Sequence, residues 1–135
     1  GFVVAGVDDR AEFADPRRFP MARRGLALPA FADLAARCGI GRHHYVAIMT
    51  RGHSFDREVL AQALETEAFY IGMIGSRKRV AKVKEVLIEN GTDPEVLNQV
   101  YTPIGADTPQ QIAVSVVAEL MAARAGTLGA LRAAR

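Results

Sequence analysis

The sequence predicts an α/β fold, a parallel sheet covered by helices in three layers. Three observations predict it. Apolar runs at 2–7, 45–50 and 68–74 lack the polar alternation of half-exposed strands, as expected where both faces are covered. Segments of helical period follow these runs, so strands and helices alternate as in βαβ units. Polar clusters fall just past the strands, where such sheets bind ligands. Together these describe a parallel sheet with helices on both faces and its ligand edge past the strands.

Bulk properties narrow the class. A chain of 135 residues is long enough for one core, and 1–135 is read as a single domain. With 50% hydrophobic and 24% charged residues, it is globular rather than disordered. A net charge of +2, with no aromatics interleaved among the cations, does not predict a nucleic-acid partner. The single cysteine cannot form an internal disulfide and fits a reducing compartment. No run approaches a membrane span and no signal peptide is visible, so a cytoplasmic protein is expected. The chain lacks an initiating Met and enters a strand at once, so it reads as a piece of something longer.

The first strand, 2–7, ends in Asp8-Asp9-Arg10. A loop rich in Arg and Pro follows from Asp15 to Pro20, with Phe13 and Phe19 as anchors, and 23–28 reads as a short edge strand. Pro29 opens a helix with Phe31, Leu34, Ala35 and Cys38 on one face, and Gly39 ends it. Tyr45 to Thr50 is a strand, followed by Arg51-Gly52-His53-Ser54. The next helix carries Phe55, Val59, Leu60, Ala63 and Leu64 inward.

The chain is organised around residues 68–79. A buried strand leads to Gly75, which allows a tight turn, and Ser76, which caps the next helix by accepting a backbone N–H. That helix places Val80, Val83, Val86 and Leu87 on one stripe and stops at Asn90-Gly91. A small helix after Asp93 and a short strand from Val100 to Ile104 follow. The last helix has a Thr108 cap, Pro109 in first position and Gln111 completing a capping box. Ile112, Val114, Val116, Val117, Leu120 and Met121 make it apolar nearly all round. That predicts burial under the sheet or at a subunit contact.

Three clusters are candidate ligand contacts: Asp8-Asp9-Arg10, the turn holding His53, and Gly72 to Lys78. Arg77, Lys78 and Arg79 stand where the helix dipole is already positive, each unfavourable by roughly 0.3–1 kcal/mol. A phosphate or carboxylate there would reverse that sign. A fan of solvated side chains is the plain alternative. Asp8 or Asp9 could accept from a ribose hydroxyl, yet no glycine-rich turn precedes them, and an Asx turn paired to Arg10 explains them equally well. Gly72-x-x-Gly75 is not a dinucleotide fingerprint. His53 could donate to a ligand oxygen or pack in its turn. Asp56 has a sufficient role in complementing its helix dipole. His43 and His44 point to opposite faces, no metal site of usual spacing can be assembled, and Cys38 reads as an inert core thiol. No catalytic residue is assigned. The residues alone reach an anion- or nucleotide-binding α/β domain.

The phrases VDDRAEFADPRRFP, MTRGHSFDREVL, YIGMIGSRKR, and YTPIG followed by TPQQIAVSVVAEL, in that order, extend the reading. They closely resemble the C-terminal Rossmann-like domain of the XdhC/CoxI family, from the first residue to about Arg124. Proteins of that family are accessory factors for xanthine dehydrogenase and related molybdenum hydroxylases. The resemblance implies a chaperone that binds the molybdenum cofactor (molybdopterin), supports its sulfuration and hands it to the apo-enzyme. It implies a maturation factor rather than a catalyst, with a molybdenum hydroxylase as partner and a homodimer as the assembly. The family domain normally begins one βα unit earlier, with the glycine-rich loop, behind a separate N-terminal domain. Family members also have a longer loop between Pro103-Ile104-Gly105 and Thr108-Pro109. A NAD(P)-dependent oxidoreductase domain and a dimerisation or docking module are the alternatives.

Overall fold

A computed structural model describes residues 1–102 and 107–129, with the side chain of His53 excepted. The chain divides into two compact units, Gly1–Gly39 and Ile40–Arg135.

In the first unit, β1 (Ala5–Asp8) leads through α1 (Ala11–Ala14) to β2 (Arg24–Ala27). The strands are parallel, with Ala5 opposite Arg24 and Asp8 opposite Ala27. The first strand is shorter than the apolar run, because Val3 and Val4 stay 72% and 52% exposed. In the segment joining the strands, two guanidinium groups lie over the Phe13 ring, 3.8 Å (Arg10) and 4.4 Å (Arg18) from its centroid. That contact explains the aromatic anchor. Gly25 lacks a side chain because the Ala14 backbone is there; a Cβ would fall 3.1 Å from the Ala14 carbonyl carbon.

The helix expected from Pro29 to Cys38 is broken. A 3-10 turn (Pro29–Phe31) precedes α2 (Leu34–Cys38). Ala30, Phe31 and Asp33 have φ of 52°, 56° and 54°, a left-handed conformation that costs a non-glycine residue about 1–3 kcal/mol. Burial of both Phe31 and Leu34 offsets that cost. Gly39 ends α2 in the left-handed region, as expected.

The second unit runs β3 (Tyr45–Ile48), α3 (His53–Leu64), β4 (Tyr70–Met73), α4 (Arg77–Glu89), a 3-10 turn (Val96–Gln99), β5 (Val100–Tyr101) and α5 (Pro109–Ala125). The parallel order β3-β4-β5 puts β4 in the middle, and all four of its residues are buried. The unbroken apolar run at 70–73 therefore reads correctly. Ile48, Met73, Leu60, Ala63, Val80, Val83 and Leu87 form the core between sheet and helices. The parallel strands thus lie in two small sheets, one in each unit.

Thr108 and Gln111 form the predicted capping box: Gln111 N donates to Thr108 Oγ1 at 3.2 Å and Thr108 N donates to Gln111 Oε1 at 3.1 Å. Of the two placements expected for α5, complete burial under the sheet does not hold, since Val114, Val117 and Met121 are 70%, 51% and 53% exposed, and the subunit contact stays open. Val116, Ala122 and Ala123 face inward instead, together with Glu119, which is wholly buried and accepts from the Tyr70 hydroxyl at 3.3 Å. Tyr70 in turn stacks on Tyr101, ring centroids 5.3 Å apart. The small alanines let the helix approach these rings closely, which a hydrophobicity count does not reveal. The expected strand end at Ile104 and the loop at Pro103-Ile104-Gly105 lie outside the described residues. No helix among the described residues is long and apolar enough to cross a membrane.

Candidate functional site

Two of the three predicted clusters lie side by side at the carboxyl end of β3-β4-β5. The register pairs Ile48 with Met73, and Ile74 N donates to Ile48 O at 2.9 Å, so adjacent strands deliver both turns to one edge. The first turn runs from Thr50 to α3, and the second runs through Gly75-Ser76 into α4.

Ser76 caps α4 as predicted, its hydroxyl accepting from Arg79 N at 3.1 Å. Arg77 and Lys78 are exposed in the first turn, with no acidic residue beside them there. Gly75 lies at the bend between β4 and α4, which it makes without a positive φ. A Cβ at Gly75 would fall 3.4 Å from Arg79 Cδ, in ordinary contact with the arginine stem crossing it. Gly72 is buried within β4 and serves packing: a Cβ would lie 2.8 Å from the Tyr70 ring. It leaves room for that ring. His53 is the first residue of α3, and its side chain lies outside the described residues.

The residue that sequence reasoning undervalued is Asp56. It is 1% exposed, a rare state for a carboxylate unless partnered. Thr50 N donates to its Oδ1 at 3.2 Å, the Thr50 hydroxyl also donates to Oδ1, and Arg79 Nη2 pairs with Oδ2. Arg79 Nη2 further donates to Thr50 O at 3.2 Å, while Arg79 Nε is buried with no partner among the described residues. The third cation of the basic turn is therefore directed inward, 23 residues along the chain from its carboxylate. Only its position on the inward side of Ser76-Arg77-Lys78-Arg79, near Val80, could have signalled this.

Asp8-Asp9-Arg10 lies at the carboxyl end of the other small sheet. Asp8 Oδ1 accepts from Arg10 N at 2.9 Å and Arg10 Nε at 3.0 Å, and Oδ2 accepts from Arg10 Nη2 at 3.3 Å. Asp9 adds a longer contact to Arg10, 3.8 Å. Burial pushes the Asp8 carboxyl up. The hydrogen bonds from Arg10 and Asp9, with the Arg10 charge, outweigh it and hold Asp8 below the ordinary carboxylate value. This is the Asx turn paired to Arg10, so Asp8 is occupied without a ligand. Burial raises the Cys38 thiol above its usual value against the nearby Arg24 and Arg37, as suits an unreactive thiol. Among the described residues, no three His, Cys, Asp or Glu side chains group as metal ligands.

Comparison with known proteins shows what the chain as a whole is similar to. An Escherichia coli (strain K12) protein, YqeB, which is uncharacterized, is 31% identical over 97% of this chain and 25% of its own length. A Bacillus subtilis (strain 168) protein described as a probable xanthine dehydrogenase subunit is 28% identical over 92% of this chain and 36% of its own. A crystal structure described as a xanthine dehydrogenase from Bacillus halodurans superposes with a TM-score of 0.77 at 30% identity, covering 93% of this chain and 36% of that one. The chain thus spans about a quarter to a third of the length of these relatives. The family model for the XdhC Rossmann domain matches residues 1–120, across both units, and the chain belongs to that family.

Proposed function

We propose that this domain binds the phosphate of the molybdenum cofactor at the carboxyl ends of β3 and β4, in the service of a xanthine dehydrogenase-type molybdenum hydroxylase. One observation carries the reading. Arg77 and Lys78 stand exposed at the start of a 13-residue helix, adding positive charge to the positive end of a dipole. A bound phosphate turns that repulsion into charge-assisted hydrogen bonding, with helix N–H groups and two cations converging on it. The Ser76-capped turn fits a phosphate in charge and donor set. Asp8 is satisfied by Arg10, so no pterin contact is placed on it.

The cofactor supplies the redox chemistry of the hydroxylase that receives it. This chain's residues bind and orient it, and none is assigned a chemical step. The printed names of the relatives from Bacillus subtilis and Bacillus halodurans support the link to xanthine dehydrogenase. Calorimetric titration of the protein with molybdopterin, NAD(H) and NADP(H) tests the reading. Pterin binding that weakens in Arg77→Ala/Lys78→Ala is expected. Tight dinucleotide binding without pterin binding would favour the oxidoreductase alternative instead.

A second reading concerns assembly. Val114, Val117 and Met121, at helical spacing, leave an exposed apolar stripe on α5, which supports its use as a homodimer face. Sedimentation velocity would show a dimer that Val117→Glu dissociates; an unchanged dimer would move the contact elsewhere.

A further inference from the structure

We propose that Asp56 and Arg79 are positioning residues: they lock the turn after β3 to the first turn of α4, so the anion cradle is set before any ligand arrives. This rests on the phosphate reading above. Backbone pairing joins the two loops as far as the bond from Ile74 N to Ile48 O. Past that bond, side chains join them. Asp56 accepts from Thr50 N, and Arg79, reaching back from α4, donates to Thr50 O. Both backbone groups of one residue are thereby fixed by opposite charges that also pair with each other. The Thr50 hydroxyl closes the arrangement on the same carboxylate oxygen.

Stability alone does not call for this arrangement. A buried ion pair is often no more stabilising than a well-packed apolar pair of similar volume. An apolar pair, however, cannot orient the Thr50 peptide groups. The chemistry selects for geometry at the turn, and the turn borders the cradle. The pair also sets the charge of the site. Arg79 is neutralised by Asp56, which leaves Arg77 and Lys78 as the first-turn cations facing solvent. Arg79 is thus a residue that acts through others, distinct from the two that would touch the anion.

The test uses the whole chain, with inorganic phosphate as the probe. Backbone amide exchange is measured without ligand in the parent, Arg79→Lys, Asp56→Asn and Thr50→Val. Arg79→Lys keeps the charge but loses the planar fork, and Thr50→Val keeps the shape and removes only the hydroxyl, so one folded variant is retained if Asp56→Asn is not. The amides of residue 50, Asp56 and Ile74, which donate to Asp56 Oδ1, Gly52 O and Ile48 O, are expected to exchange about tenfold faster or more in the variants, the scale of losing one hydrogen bond to a charged group. Amides of β4 should be unchanged. Phosphate affinity, followed at the Ser76 amide, should fall by a similar factor although neither residue touches the ligand. Unchanged exchange in both turns, with phosphate binding intact, would overturn the positioning role and leave the cradle standing. A parent that binds no phosphate would overturn the cradle, and the positioning role with it, even if the turns loosen.

Discussion

Two arginine–aspartate pairs in this molecule have opposite characters. Arg10 and Asp8 are two residues apart, partly exposed, and closed on themselves within one turn. Arg79 and Asp56 are 23 residues apart, and the carboxylate is shut away from water. The first pair satisfies a local turn and would form in almost any fold. The second exists only once α3 and α4 have packed, so it reports and fixes tertiary geometry. The contrast shows that a charged residue near a ligand edge is informative chiefly for what it is not paired with. By that measure Arg77 and Lys78, exposed and next to no acid in their turn, are the residues on which the proposed phosphate site rests.

Removing a partner breaks the comparison most sharply at Asp56. Asp56→Ala strands the Arg79 charge and frees Thr50. Breaking a buried pair costs about 3–5 kcal/mol, and the low end applies because Arg79 keeps 26% of its side chain exposed. A loss of about 3 kcal/mol should appear as a lowered urea midpoint with an unchanged slope. A loss below about 1 kcal/mol would show that the pair is no more than a surface bridge.

Ser76→Ala removes the α4 cap, for an expected loss of about 1 kcal/mol by the same measurement. Arg77→Ala with Lys78→Ala should change stability in the other direction. Relieving two cations at a positive helix end is worth a few tenths to about 1 kcal/mol of gain each. Stabilisation by a double deletion of charge would mark these side chains as kept for binding. Destabilisation would mean that they support the fold.

The smallest effect is expected at the first pair. The folded-state pKa of Asp8 lies below its unfolded value, near 3.8, so its contribution is fully present above that value and fades as pH falls through the lower folded one. Unfolding midpoints of the parent and Asp8→Asn should therefore differ slightly above pH 4 and converge in stronger acid. A difference that instead grows on acidification would contradict the pairing.

How much was legible in the sequence follows the same division between local and distant causes. The Thr108-Pro109-Gln111 helix start, the Ser76 cap and the β4 run rest on residues within a few positions of one another, and each was readable; the Asp8–Arg10 turn, equally local, was readable only as one of two alternatives. The Asp56 role was not, because helix-dipole chemistry already explained an acid in that position and Arg79 looked like its exposed neighbours. Glu119 stayed hidden within an apolar helix because its partner, Tyr70, is 49 residues away. The left-handed residues 30, 31 and 33 carry no glycine to announce them. Gly72 also makes space for a tyrosine ring within its own strand, which its place in the sequence does not announce.

The most direct measurement is a titration of the isotopically labelled chain with inorganic phosphate, following backbone amide resonances of the parent and of Arg77→Ala/Lys78→Ala. The account predicts saturable shifts centred on the amides of Ser76, Arg77 and Lys78 in the parent, and weaker binding by at least about tenfold in the variant, as expected on losing two charge-assisted contacts. Parent resonances that do not move, or that move identically in the variant, would contradict it.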